Sequence, residues 1–131
     1  MSNELRRILG IEDEADIQDV IRFSLAEIGG FDVQVCDSGL DALARATFFA
    51  PDLVLLDVMM PQMNGPVTFE AIRRLPGLAS TPIVFLTANV EAHKLKELRA
   101  MGATDVLMKP FDALALPGRL RSIWLRHHEV T

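Results

Sequence analysis

The sequence has little of several features that mark particular classes of protein. Cys36 is the single cysteine, so an internal disulfide is excluded and a reducing, cytoplasmic location is expected. No apolar run approaches the length of a membrane span, and the first residues, MSNELRRIL, are not typical of a signal peptide. No repeat or linker divides the chain, which favours a single domain over residues 1–131 with a core of about 5–127.

Positive charge is also scarce. The chain has 13 Lys and Arg against 18 Asp and Glu, which gives a formal net charge of -5. Because nucleic acids are held by clustered Lys and Arg, direct binding to nucleic acid is not expected. Half of the residues are hydrophobic, which is typical of a folded globular domain and too apolar for a disordered chain.

Five short apolar segments alternate with segments of helical period. The predicted strands lie in RRILGIE, FDVQVC, PDLVLLD, TPIVFLTA and TDVLMKPF. The predicted helices lie in ADIQDVIRFSLAEIGG, SGLDALARATFFA, GPVTFEAIRRLPG, NVEAHKLKELRAMG and DALALPGRLRSIWLRHH. This alternation predicts an α/β fold: a doubly wound, five-stranded parallel sheet with five helices distributed over both faces.

Residues near the helix ends refine these boundaries. Ser38 and Asp41 have capping-box spacing at the start of the second helix, and Pro66 suits the first turn of the third. Asn89 is expected to cap the fourth helix. Pro117 interrupts the start of the last segment, so the regular part of that helix is expected to begin near this residue.

Polar residues follow four of the predicted strands. The first strand ends at Glu12 and Asp13, the third at Asp57, the fourth at Thr87 and the fifth at Lys109. Since parallel strands present their carboxyl ends at one edge of a sheet, these side chains are expected to lie together. Three carboxylates repel one another, and Mg²⁺ relieves that repulsion. An aspartate, a metal, a lysine and a hydroxyl make a site for phosphoryl transfer to a carboxylate.

Four motifs in order, IEDE, LVLLDVMMPQMNG, PIVFLTA and GATDVLMKPF, resemble the receiver domain of two-component response regulators, in particular the stand-alone chemotaxis type. The resemblance implies a flavodoxin-like sheet with strand order 2-1-3-4-5. It also implies a protein that is not an enzyme beyond its own phosphoryl transfer and slow autodephosphorylation. The expected partners are a histidine kinase or phosphotransfer protein and an unknown output protein, and the expected oligomeric state is a monomer or weak homodimer.

The resemblance assigns a role to each candidate residue. Asp57 is implied to be the phosphoacceptor, and Asp13, Asp57 and the backbone carbonyl of Met59 are implied to bind Mg²⁺, with Glu12 acting through water. Thr87 and Lys109 are implied to bind the phosphoryl group. The peptide bond between Lys109 and the proline that follows it is expected to be cis.

The sequence departs from the family pattern at one position. Many receivers couple phosphorylation to an aromatic side chain in the fifth strand, and Val106 stands at that position here. A valine cannot exchange between exposed and buried ring positions. The aromatic side-chain movement that accompanies phosphorylation in those receivers is therefore expected to be absent or replaced here.

Several alternative functions stay open at this point. The chain could be the N-terminal fragment of a longer regulator, or a docking module that acts without phosphorylation. A phosphatase of the haloacid dehalogenase type would carry a second aspartate where Met59 stands, which argues against that class. An FMN binder of the flavodoxin type is disfavoured because IEDEADI is acidic where a phosphate loop would lie.

Overall fold

Five parallel strands form the single sheet of the computed structural model, which describes residues 4–89 and 91–129. The strands are β1 (Arg7–Ile11), β2 (Asp32–Cys36), β3 (Leu53–Asp57), β4 (Ile83–Thr87) and β5 (Asp105–Met108). Their order is β2-β1-β3-β4-β5, which confirms the predicted doubly wound, flavodoxin-like topology. Residues 1–3, 90 and 130–131 of the predicted domain lie outside the described part of the chain.

All five predicted helices are present. They are α1 (Ala15–Arg22), α2 (Gly39–Phe49), α3 (Gly65–Arg73), α4 (Ala92–Ala100) and α5 (Leu116–Glu129). The α5 boundary confirms that the regular helix begins beside Pro117. The predicted cap of α2 is also present, since the hydroxyl of Ser38 accepts a hydrogen bond of 3.0 Å from the Asp41 backbone N–H.

The core has two halves because successive residues of a strand point to opposite faces of the sheet. On one face the strands pack against buried side chains of α2, α3 and α4, and Phe69 of α3 stacks on Phe85 of β4 at 5.5 Å. On the other face α1 and α5 supply the cover, including Ile21 and Trp124. Every residue of β3 and β4 is buried, as their unbroken apolar segments predict.

Two details of the helices differ from the sequence predictions. The second half of the first predicted helix, Phe23–Ile28, is a π-helix that continues directly from α1. The fourth helix is not capped by Asn89: it begins at Ala92, and Glu91 occupies the N-cap without a side-chain cap. Asn89 Oδ1 instead accepts a hydrogen bond of 3.0 Å from the Glu91 backbone N–H, so its side chain shapes the preceding turn. Val90, part of the predicted helix, lies outside the described residues.

None of the helices within the described residues combines the length and the apolar composition that crossing a membrane requires.

Candidate functional site

The structure brings the candidate side chains to one edge of the sheet. Asp57 is the last residue of β3 and Thr87 the last of β4, while Glu12 and Asp13 follow β1 directly and Lys109 follows β5. The strands β1, β3, β4 and β5 are consecutive neighbours, so their carboxyl ends meet. The side chains of Glu12, Asp57 and Thr87 are buried, whereas Asp13 is half-buried.

Lys109 joins the ends of three strands. Its Nζ atom lies 2.7 Å from Glu12 Oε1 and 2.9 Å from Asp57 Oδ1, and its side chain is 13% exposed. Its backbone N–H donates a hydrogen bond of 2.9 Å to the Thr87 carbonyl oxygen, which fixes the lysine relative to β4. The peptide bond between Lys109 and Pro110 is cis, as expected. One cation is thus placed between two buried carboxylates.

The carboxylates of Glu12, Asp13 and Asp57 form a compact cluster. One oxygen from each lies within 4.8 Å of the others. Asp13 Oδ1 and Asp57 Oδ2 are buried and lack a hydrogen-bond partner among the described residues. A buried acceptor without a partner costs about 1 to 3 kcal/mol. Because carboxylate oxygens in this number suit a small, hard cation, the donor set fits Mg²⁺.

Burial and mutual charge shift the pKa values of the site. Burial raises the pKa of Asp57 and of Glu12, and the ammonium group of Lys109 opposes that rise without cancelling it. For Lys109, burial alone would lower the pKa, but the two carboxylates outweigh burial and raise it. The lysine is therefore held in its charged form. Additional positive charge beside Glu12 and Asp57 would stabilise the ionised forms of these two acids.

The loop between β1 and α1 fixes the orientation of Glu12. Its Oε2 atom accepts a hydrogen bond of 3.1 Å from the Glu14 backbone N–H. Its backbone carbonyl accepts a hydrogen bond of 2.6 Å from the side-chain amide of Gln18, one turn into α1. The first turn of α1 therefore holds the acidic segment against the ends of the strands.

The loop between β3 and α3 returns closely to Asp57. The Gly65 backbone N–H donates a hydrogen bond of 2.9 Å to the Val58 carbonyl. A Cβ atom on Gly65 would lie 2.5 Å from the Asp57 carbonyl oxygen, a contact that only glycine avoids. Met59 lies in this loop two residues after Asp57, and the residue is 73% exposed. The loop thus carries the Met59 backbone beside the acidic cluster.

Thr87 is tied to the loop that follows β4. The residue is 1% exposed, and its Oγ1 atom accepts a hydrogen bond of 3.0 Å from the Asn89 backbone N–H. The register of β3 and β4 pairs Asp57 with Leu86, so Thr87 lies one residue beyond the level of Asp57. Val106 of β5 is 3% exposed and belongs to the apolar cluster on the α4 face.

Two contacts at the candidate site could not be predicted from the sequence. The contact between Glu12 and Lys109 joins residues from different strands, and no local pattern indicates it. The close approach of Gly65 to Asp57 was also missed, although a glycine that opens a helix soon after a strand-end acid is a usable signal.

A family model described as the response regulator receiver domain matches residues 8–121. Among solved structures, the chemotaxis protein CheY4 of Vibrio cholerae superposes with a TM-score of 0.84 at 31% identity, covering 91% of this chain and 98% of that one. A putative response regulator from Chloroflexus aurantiacus gives a TM-score of 0.84 at 27% identity, covering 94% of this chain and 100% of that one.

Two curated relatives are also regulators, one named as a transcriptional regulator and the other as a response regulator. The DNA-binding dual master transcriptional regulator RpaA of Synechocystis sp. is 35% identical over 92% of this chain and 49% of its own length. The DNA-binding response regulator MtrA of Mycobacterium tuberculosis is 36% identical over 93% of this chain and 52% of its own length. The chain spans about half the length of these relatives. With the fold and the acidic cluster, these matches mean that the chain belongs to the receiver domain family of two-component response regulators, which are signalling modules and generally not enzymes.

Proposed function

We propose that Asp57 accepts a phosphoryl group and that the chain signals through the phosphorylated state. The observation that carries the proposal is the position of Asp57: a buried carboxylate with one oxygen 2.9 Å from Lys109 Nζ and the other without a hydrogen-bond partner among the described residues. The unpartnered oxygen is available as a nucleophile, while the lysine supplies positive charge beside it.

The chemistry is an in-line displacement at phosphorus. An Asp57 oxygen forms a bond to phosphorus as the bond from phosphorus to the imidazole nitrogen of a phosphohistidine breaks, and the electron pair of that bond leaves with the imidazole. Lys109 Nζ offsets the charge on the phosphoryl oxygens during transfer. The group thereby moves from the donor to the carboxylate, and the product is an acyl phosphate.

Receiver domains bind Mg²⁺ at an acidic site, and we assign that site here to four residues. Asp13, Asp57 and the backbone carbonyl of Met59 would hold the ion directly, and Glu12 would act through water. The support is the set of carboxylate oxygens within 4.8 Å of one another, together with the buried Asp13 Oδ1 atom, which lacks a hydrogen-bond partner among the described residues. When bound, Mg²⁺ supplies charge that neutralises the phosphoryl oxygens.

Thr87 would carry the signal from the phosphoryl group to the surface. In the structure its hydroxyl oxygen accepts a hydrogen bond from the Asn89 N–H, so the hydroxyl and the loop after β4 are already linked. Donation of the Thr87 hydroxyl proton to a phosphoryl oxygen would draw this loop inward and change the partner-binding surface. Val106 is small and already buried, so we expect the output to proceed without an aromatic rotation in β5.

The proposal also names the phosphodonor, the recipient of the signal, the extent of the domain and the location of the protein. We propose a histidine kinase or phosphotransfer protein as the donor, and an output protein or domain as the recipient of the signal. We propose that the core at residues 5–127 acts as one receiver domain. A cytoplasmic location agrees with the buried free thiol of Cys36, which needs no oxidising compartment.

Intact mass tests the proposal directly. The protein is incubated with a small phosphodonor, with and without Mg²⁺, and we expect a gain of one phosphoryl group that requires the metal. Asp57→Asn should abolish the gain. Asp37→Asn is the matched control, because Asp37 follows β2 at the same edge of the sheet but is exposed and outside the acidic cluster.

A rapidly hydrolysed adduct would escape this measurement, so beryllofluoride, which mimics the phosphoryl group, is titrated in parallel. Binding that requires both Mg²⁺ and Asp57 supports the proposal. The phosphoacceptor role is wrong if neither an adduct nor beryllofluoride binding is detected, and a docking module that acts without phosphorylation then becomes the better account.

A further inference from the structure

The solvent side of α2 carries an apolar stripe that the proposed function does not use. Leu40 is 60% exposed and Phe48 is 97% exposed, and Ala44 between them is exposed as well. Residues four apart lie above one another on a helix, so these three form one continuous row, here called the α2 stripe. Single apolar side chains are common on protein surfaces, but a continuous row with a phenylalanine almost wholly in solvent indicates a contact surface.

The stripe is not the face that anchors α2. Ala42 and Ala46 lie on the opposite side of the helix and are completely buried against the sheet. The helix is also fixed at its start by the Ser38 cap. The exposed row therefore makes no contribution to the core that would account for its composition.

The shape of the stripe suits a second copy of itself. Its small residue, Ala44, lies midway between two large ones, Leu40 and Phe48. If two α2 helices pack antiparallel about a two-fold axis at Ala44, Leu40 of each copy meets Phe48 of the other. The small central residue lets the backbones approach. Rows of residues four apart are also the ridges used in the commonest helix packing, and a two-fold contact uses the same surface on both copies.

The charges beside the stripe are complementary in the same arrangement. Asp41 and Arg45 lie on one edge of the stripe and form an ion pair of 3.0 Å within the helix. With a rise of about 1.5 Å per residue, an antiparallel copy places its Arg45 within about 3 Å, along the axis, of the first copy's Asp41. The antiparallel helix dipoles add to this attraction. A parallel arrangement would instead place like charges side by side.

We propose that the α2 stripe is the contact of a two-fold symmetric homodimer of this chain. One helix face is smaller than the interface of a stable dimer, so the association is weak and depends on concentration. The occupant is a second copy because the size pattern and the charge pattern are both self-complementary about Ala44.

Sedimentation velocity over micromolar to millimolar concentrations tests the proposal. Phe48→Glu should raise the dissociation constant of the dimer at least about tenfold, because it places a charge in the apolar contact. Leu125→Glu is the matched control, since Leu125 is a 51% exposed leucine on α5, and it should leave the constant unchanged. Circular dichroism of both variants confirms that they are folded. A protein that is monomeric at every concentration, or a dimer unaffected by Phe48→Glu, overturns the proposal.

Disulfide trapping tests the position of the two-fold axis. The native thiol of Cys36 is fully buried, and burial raises its pKa to about 12, so it does not compete for oxidation. Ala44→Cys should form a covalent dimer under mild oxidation much faster than Ser122→Cys, an exposed position on α5. Equal rates for the two variants place the contact elsewhere and contradict the proposal.

Discussion

Lys109 places one ammonium group between two buried carboxylates, with Glu12 at 2.7 Å and Asp57 at 2.9 Å. Lys109→Met would leave both acids without their cation. We expect the free energy of unfolding to fall by about 3 kcal/mol in the absence of Mg²⁺, because breaking a buried ion pair leaves an uncompensated charge. Urea unfolding at about pH 8 measures the loss, and the same substitution at a solvent-exposed lysine provides the control.

The loss should depend on pH in a defined direction. Burial already raises the pKa values of Glu12 and Asp57 in the folded state, and removal of Lys109 raises them further. A carboxyl group with a raised folded pKa costs stability as the pH rises through that pKa, so the deficit should be smaller at about pH 5 than at about pH 8. Lys96→Met on the exposed side of α4 is the control and should change stability by less than about 0.5 kcal/mol. A deficit independent of pH would mean that packing, not charge, is responsible.

Individual residues of the site were predictable to different degrees. Asp57, Thr87 and Lys109 were placed together from their positions at strand ends, since the parallel sheet fixes where those ends meet. The contact between Lys109 and Glu12 was not predictable, because it depends on the side-chain path across two intervening strands. Sequence patterns report which edge a residue reaches; they do not report which neighbour it contacts there.

At the scale of elements, the start of α3 is fitted against the end of β3 through Gly65. A Cβ atom there would lie 2.5 Å from the Asp57 carbonyl oxygen and 2.8 Å from Val58 Cα, both backbone atoms that cannot move aside cheaply. We expect Gly65→Ala to reduce the free energy of unfolding by about 1 to 3 kcal/mol and to reduce Asp57 phosphorylation as the loop shifts. Urea unfolding and intact mass measure the two effects.

Gly118 provides the matched control for that substitution. It lies within α5, and a Cβ atom there would meet nothing within 4 Å. Gly118→Ala should therefore stabilise the protein by up to about 1 kcal/mol through helix propensity and leave phosphorylation unchanged. If both alanines had the same effect, the close approach at Gly65 would not be what makes glycine necessary there.

Elements were predicted well where a local signal decides them. Ser38 caps α2 as expected, because the hydroxyl and the N–H three residues on are fixed by the helix itself. The π-helix at Phe23–Ile28 was not predicted, and it carries a contact that no local pattern reports: the Ser24 hydroxyl donates to the Ala113 carbonyl, which lies 89 residues away in the chain. Asn89 is a residue type that often caps helices, but its side chain accepts a hydrogen bond within the turn before α4 instead.

At the scale of the whole molecule, the strand order follows from the alternation of elements together with the family resemblance. Alternation alone gives a parallel sheet with helices on both faces, and many orders satisfy it. The order β2-β1-β3-β4-β5 is what places β1 beside β3, so that Asp13 and Asp57 share one cluster. The site is therefore a property of the assembled sheet and does not exist in any one segment.

This dependence couples metal binding to folding. The acidic cluster draws its oxygens from the ends of β1 and β3, which separate when the sheet unfolds, so Mg²⁺ should bind the native state far better than the unfolded chain. At a concentration one hundred times its dissociation constant, the ion should add about 2.7 kcal/mol to the free energy of unfolding. Thermal unfolding at constant ionic strength, with and without Mg²⁺, measures this shift.

Asp13→Asn should abolish most of the stabilisation by Mg²⁺, because Asp13 Oδ1 is one of the buried oxygens without a partner among the described residues. Stabilisation that persists in Asp13→Asn, or that Na⁺ reproduces at equal ionic strength, would show general screening of the acidic cluster in place of a specific ion site.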